Sequence, residues 1–249
     1  MRGAILSVNP DACIVDISHE IPPGDIGEAA FTLLAAYESF PALTIHVAVV
    51  DPGVGSPRRP IAALAGEQFF IGPDNGIFSY VVERERLARV FHITNESYFR
   101  HPVSSTFHGR DVFAPAAAAL SKGVRPEMLG VEVEDYVRLA PLAPKQERDG
   151  SIIGLITHVD RFGNCITNLT PNELTPEMIE RGARLSINRK EIRKFQHFFS
   201  EAGNSSEIFA LWGSAGFLEI AANSRSAAKL LKAKRGQSVA VSIPKRSNS

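Results

Sequence analysis

The sequence is poor in cysteine, with two in 249 residues, and it carries no excess charge of either sign, since Lys plus Arg and Asp plus Glu number 27 each. Cys13 and Cys165 sit in short apolar contexts, Cys-Ile-Val and Cys-Ile-Thr, without a CxxC spacing. Both therefore read as reduced structural thiols and not as a disulfide framework or a thiolate metal centre. A balanced charge leaves no net field to draw the chain to nucleic acid or to an anionic membrane surface. No apolar run reaches the roughly 20 residues that span a bilayer, and the stretch after Met1 is broken by Pro10 too early for a secretory leader. The expected setting is the cytoplasm, and the expected ligand is small. Also missing are GxxxxGK[ST], a strand-borne GxGxxG, HExxH and GxSxG, which takes support from ATP hydrolysis, dinucleotide redox and Ser-triad chemistry. Among the seven histidines no two have a metal-ligand spacing on a common helix. Neither a metal nor a cofactor is expected.

What is present is an ordinary globular composition, 44% hydrophobic and 22% charged. The first part alternates strand-like and helix-like signals, the pattern of a layered α/β domain. Cys13-Ile-Val-Asp-Ile17 reads as a buried strand, and the apolar spacing over 27–39 predicts a helix with Pro41 as its stop. Thr44-Ile-His-Val-Ala-Val-Val50 is apolar on both faces, as expected at the centre of a mainly parallel sheet. Gln68-Phe-Phe-Ile71 runs into the turn Gly72-Pro-Asp-Asn-Gly76, and 112–122 is Ala-rich and helical. The polar, Pro-containing stretch 141–150 has the composition of a linker. After it come short β-like runs at 151–160, 166–169, 208–212 and 217–220, one helix over 224–234, and a Lys245-Arg-Ser-Asn-Ser tail expected to fray. The expected architecture is α/β: a layered, Rossmann-like domain over 1–143 and a small antiparallel β-barrel domain over 144–249.

Two segments carry the most chemistry. In His46-Val-Ala-Val-Val-Asp-Pro-Gly-Val-Gly-Ser-Pro-Arg58 an apolar strand ends on a carboxylate, where open α/β sheets place ligands. Glycines in the following turn let the backbone approach a ligand, and Arg58 can return within reach of Asp51. The alternative is that Asp51 caps its own turn and Arg58 is a solvated charge. In Ser105-Thr-Phe-His-Gly-Arg-Asp111 the imidazole of His108 follows an aromatic residue; taken alone it reads more readily as a structural histidine, and Asp111 as first-turn helix chemistry. Gly72-Pro-Asp-Asn-Gly76 is a plain loop or a ligand lining. Asp160-Arg-Phe-Gly-Asn164 combines a carboxylate, a ring and an amide that suit a ligand with an ammonium group and a ring, or else forms a self-bonded β-turn. Trp212-Gly-Ser-Ala-Gly216 offers backbone N–H groups or a hairpin turn.

Taken in order, these motifs, together with Ile14-Val-Asp-Ile-Ser-His-Glu-Ile-Pro-Pro23 and Gly213-Ser-Ala-Gly-Phe-Leu-Glu-Ile220, resemble the S-adenosyl-L-methionine (SAM) hydroxide adenosyltransferases. These SAM hydrolases are related to the SAM-dependent fluorinase and chlorinase. The resemblance implies hydrolysis of SAM to adenosine and L-methionine by a catalytic trio falling on Asp51, Arg58 and His108. It implies substrate binding by Phe107, Asp160, Phe162, Asn164 and Ser214. It also implies a homotrimer whose sites lie between the α/β domain of one subunit and the β domain of the next. An intact trio and the lack of the fluorinase insertion point to water as the nucleophile. Family members open with a strand and an aspartate that grips the ribose, and Met1-Arg2-Gly3 aligns with the end of that opening, which we read as a late-assigned start, the alternative being a genuinely shortened protein. The other functional classes are a non-catalytic adenosyl-ligand binder or inactive truncated homologue and, more weakly, a SAM-dependent halogenase.

Overall fold

The structure, a computed structural model, describes residues 1–85, 87–202 and 207–244. The chain divides into two compact units, Met1–Pro141 and Leu142–Ser249. The first is a five-stranded sheet with helices. In chain order its elements are α1 (Arg2–Val8), α2 (Ile26–Ala36), β1 (Ile45–Val47), β2 (Pro60–Ala65), β3 (Gln68–Pro73), α3 (Ser79–Arg84), β4 (Arg89–Ile93), α4 (Ala114–Ser121) and β5 (Gly130–Glu132). The strand order is β1-β3-β2-β4-β5. Only β1 on β3 is parallel; the remaining ladders are antiparallel.

This corrects the expectation of a mainly parallel sheet centred on 44–50. Ala65 pairs with Gln68, so β2 and β3 are joined by a two-residue turn, Gly66-Glu67, with Gly66 at φ +59°. A turn that short can only connect antiparallel neighbours. The strand predicted over 44–50 is a three-residue edge strand, continued as extended chain in which Ala48 N–H donates to the Ile71 carbonyl at 3.0 Å. Residues 13–17, predicted as a buried strand, form no ladder, and Val15 and Ile17 are 63% and 41% exposed. Alternating apolar residues supply a strand-like surface, yet no neighbouring strand among the described residues pairs with them.

α2 begins where Asp25 caps the Glu28 N–H at 3.0 Å and ends in a 3-10 turn, Tyr37–Ser39, before Pro41. Five of the eight residues of α4 are alanine, which lets its backbone lie close against a core of Ile71, Ile93, Phe113 and Leu129. It is entered through a π-helical turn, Gly109–Phe113, that carries the end of the Ser105-Thr-Phe-His-Gly-Arg-Asp111 segment.

The second unit is an eight-stranded antiparallel, barrel-like sheet. Its elements are β6 (Lys145–Gln146), β7 (Ile152–Val159), β8 (Cys165–Thr167), α5 (Pro176–Glu180), β9 (Arg184–Ile187), β10 (Lys190–Ile192), β11 (Ile208–Trp212), β12 (Leu218–Ala222), α6 (Ala227–Leu231) and β13 (Ser238–Ser242). The order is β10-β9-β13-β7-β8-β12-β11, with β6 on β7. The chain after β10 brings the ends of this order together: Gln196 N–H donates to the Ala210 carbonyl at 2.9 Å, and Ala210 N–H to the Lys194 carbonyl at 2.8 Å. Inside lie Ile156, Cys165, Leu169, Leu185, Leu218, Ile220 and Val239, all buried. The helix predicted over 224–234 is shorter than expected, because Ser226 caps its start and Lys232 turns left-handed at φ 51°. The Lys245–Ser249 tail lies outside the described residues.

Candidate active site

Asp51 and Arg58 flank one turn. Val54 N–H bonds back to the Asp51 carbonyl at 3.3 Å and Ser56 N–H to the Gly53 carbonyl at 3.0 Å, which folds Pro52-Gly-Val-Gly-Ser-Pro57 on itself. Gly55 sits at φ +79°, and a Cβ there would lie 2.6 Å from the Ser105 carbonyl oxygen, so only glycine lets this turn pack against the 105–108 segment. The result is a forked ion pair: Arg58 Nε donates to Asp51 Oδ1 at 2.9 Å, and Nη2 to Oδ2. The carboxylate is 6% and the guanidinium side chain 9% exposed. The guanidinium also lies 5.2 Å from the centroid of the Phe113 ring. Arg58 is thus no solvated surface charge.

Arg58 Nη2 also meets His108 Nδ1 at 2.8 Å. A guanidinium nitrogen can only donate, so Nδ1 must accept; the neutral ring then carries its proton on Nε2. Burial, and then the Arg58 charge, push the His108 imidazole below its ordinary pKa, against opposing contributions from Asp51 and Asp111. Arg58 Nη1 is buried with no hydrogen-bond partner. A buried unpaired donor is costly. Phe107, one residue before His108, holds its ring 60% exposed.

Gly72-Pro-Asp-Asn-Gly76 supports this arrangement from behind. Asn75 Nδ2 donates to the Val50 carbonyl at 2.8 Å, directly before Asp51. Asp74 accepts Arg59 Nε at 2.9 Å and the Val137 N–H at 2.8 Å. A Cβ on Gly72 would collide with the Ala48 carbonyl oxygen.

Asp160, Phe162, Asn164 and Ser214 belong to the second unit. Asp160 accepts the Asn164 N–H at 2.8 Å and Asn164 Nδ2 at 2.9 Å, and Gly163 N–H donates to the Asp160 carbonyl at 3.0 Å. The self-bonded turn is therefore real, and it leaves the Phe162 ring 81% exposed. Gly163, at φ +84°, has no room for a Cβ beside Ser226, and its carbonyl accepts the Ala228 N–H at 2.8 Å. Phe162 and Asn164 line a cavity of about 520 Å³ together with Phe199 and residues 222–226. Ser214 is exposed in the turn after β11 and is not part of that lining.

Reading the sequence missed the run Asn223-Ser-Arg-Ser226, a polar turn directly after an apolar strand, which is the kind of signal that marks a lining segment. It also missed Glu219. That carboxyl rests against Gly213, and burial, with Asp160 nearby, pushes its pKa up. Among the described residues, no group of three or more His, Cys, Asp or Glu side chains is placed to hold a metal ion.

Comparison with known proteins bears on both units. The SAM hydroxide adenosyltransferase N-terminal domain matches residues 1–130, and the C-terminal domain of the same family matches residues 154–240. A protein of Methanocaldococcus jannaschii named (R)-S-adenosyl-L-methionine hydrolase is 37% identical, covering 93% of this chain and 85% of its own length. One of the same name from Thermus thermophilus is 38% identical, covering 96% and 91%. A Nocardia brasiliensis fluorinase is 26% identical over 97% and 91%. The crystal structure of an uncharacterized conserved protein from Thermotoga maritima superposes with a TM-score of 0.90 at 34% identity, covering 96% of this chain and 92% of that one. The chain belongs to the SAM hydroxide adenosyltransferase family.

Proposed function

We propose that this protein hydrolyses SAM to adenosine and L-methionine, with Asp51, Arg58 and His108 as its catalytic residues. The observation that carries the reading is the contiguous, largely buried Asp51–Arg58–His108 chain. Relatives named SAM hydrolases at 35–38% identity over most of the chain support the same activity.

Water attacks the ribose C5′ as the C5′–S bond breaks. The bonding electrons go to sulfur, and methionine leaves as a neutral thioether that needs no general acid. The difficulty is the nucleophile, because bulk water has a pKa of about 15.7. Asp51 takes the water proton through a lone pair not used by Arg58, an effect worth about 10²–10⁴-fold. His108 Nε2–H donates to the water oxygen and holds its second lone pair toward C5′. The proton passes from Asp51 to solvent after the products leave. Collapse of sulfonium and hydroxide-like charge in a dry site adds driving force.

In this reading Phe107 and Phe162 stack on the substrate, Asn164 bonds it, Asp160 receives the ammonium group on its remaining lone pairs, and Ser214 binds the amino-acid end. The protein works in the cytoplasm as a homotrimer, each site shared by two subunits. No described helix is long and apolar enough to cross a membrane.

The test is incubation with SAM in ¹⁸O-water, with chromatography for adenosine and methionine and mass spectrometry of the 5′ oxygen. Label in adenosine is expected. No turnover points to an adenosyl-ligand binder, and a 5′-halogenated product with added chloride or fluoride points to a halogenase. A wild-type rate for Asp51→Ala would overturn the catalytic assignment. Light scattering on a sizing column reads the trimer.

A further inference from the structure

The segment that delivers His108 ends on a carboxylate the reaction does not use. Asp111 is 1% exposed. It accepts the Ser104 N–H at 2.9 Å, and its two oxygens take Arg110 Nε at 2.7 Å and Nη2 at 2.8 Å. The Arg110 guanidinium in turn lies 5.3 Å from the centroid of the Phe107 ring. Asp111 N–H donates to the Phe107 carbonyl at 3.1 Å, and its own carbonyl accepts the Arg100 N–H at 2.8 Å.

Sequence neighbours do not face each other on a regular α-helix. Here the chain makes a π-helical turn over Gly109–Phe113, and Arg110 curls back onto its neighbour. The Arg110 side chain is 45% exposed, so it fills no core and its ion pair alone is worth little. The charge-assisted bonds hold Asp111 well below the usual carboxylate range, at about 2, so the clamp stays charged throughout any working pH. Three fixed points of the 104–110 loop converge on this one residue: its start at Ser104, its aromatic plate at Phe107, and the turn carrying His108.

We propose that Asp111 is a positioning residue for the reaction, holding His108 against Arg58 and, through Arg110, presenting the Phe107 ring to the substrate. This rests on the hydrolase reading above.

The charged groups facing His108 are Arg58 and Asp51 from the turn after β1 and Asp111 from its own π-helical turn. Asp51 and Asp111 favour protonation of the ring while burial and Arg58 oppose it, so a ring released from its place against Arg58 titrates at higher pH. In the full-length protein, Asp111→Asn is expected to lower kcat and, as His108 loses its place against Arg58, to shift the acid limb of kcat/KM upward, and Asp111→Glu to return the limb toward wild type. Arg110→Gln is expected to raise KM about threefold with kcat little changed, the size of an exposed cation–π contact. It is expected to add nothing once Phe107→Ala is present.

An acid limb unmoved or lowered in Asp111→Asn, or independent multiplication of the Arg110 and Phe107 effects, overturns the proposal. If Asp111→Asn does not fold, the Arg110/Phe107 cycle decides. NMR titration of the His108 ring in wild type and Asp111→Asn needs no turnover. Absence of SAM hydrolysis in the wild type would therefore sink the hydrolase reading while the titration still tests the clamp.

Discussion

The Arg58 guanidinium donates through Nη2 to Nδ1 of His108 at 2.8 Å, so the imidazole is an acceptor at one nitrogen and a donor at the other. Protonating Nδ1 would point an N–H at an N–H. The competent form is the neutral ring, and activity must disappear as pH falls through the folded pKa of His108, which burial and Arg58 push below its ordinary value. The acid limb of kcat/KM is expected below the range of an unperturbed histidine, with no alkaline limb from this residue. A limb at or above the ordinary histidine value would contradict the assignment.

Asp51 is expected to be the least replaceable of the three. Asp51→Asn keeps the shape but removes the proton acceptor and breaks the fork to Arg58, and kcat should fall about 10²–10⁴-fold. Arg58→Lys keeps a positive charge yet cannot reach both Asp51 oxygens and His108 from a planar fork. It is expected to lose at least about tenfold in kcat. Steady-state kinetics with SAM, alongside thermal melts to confirm folding, check both.

The turn between these residues is closed by backbone hydrogen bonds as well as by the Asp51–Arg58 fork, and it packs on its neighbour through a glycine. At Gly55, φ is +79° and a Cβ would come within 2.6 Å of the Ser105 carbonyl oxygen. Gly55→Ala is therefore expected to part the two active-site segments, costing roughly 1–3 kcal/mol and most of the activity. Gly123→Ala is the control: φ is +86°, but nothing lies within 4 Å, so some stability is lost while turnover stays near wild type. Thermal melts and SAM turnover on the two variants separate strain from displacement.

The spacing of Asp51 and Arg58 about a Gly/Pro turn was readable because the turn itself brings them together. His108 was legible only through its surrounding motif, since no local pattern says which ring nitrogen faces a guanidinium. The strand expected at 44–50 shows the limit of apolar runs: Ile45 and Val47 pack toward α4, yet β1 lies at an edge. Burial on both faces and position in a sheet are different properties. The Gly66-Glu67 hairpin turn carries only half of the usual Asn-Gly signal, which hid the antiparallel ladder. Phe162 was legible as an exposed ring in a turn, whereas Phe199 reaches the same cavity from a distant segment and leaves no sequence trace.

Glu219 gives the last prediction. Its neighbours along β12, Leu218 and Ile220, are fully buried, while its own carboxyl lies half-buried against Gly213 on the other side of the strand. Burial raises its pKa, Asp160 raises it further, and His158 opposes. A carboxyl whose folded pKa lies above its unfolded value disfavours the folded state once it ionises. The penalty is absent below the unfolded pKa, grows as pH rises from there, and is complete above the folded pKa. Glu219→Gln keeps the shape without the charge, so it should raise Tm at pH 7–8, and the gain should fade toward zero near pH 4. Melting curves at several pH values read this directly. A gain equally large at pH 4, or a lower Tm at neutral pH, would mean that packing and not ionisation governs the site.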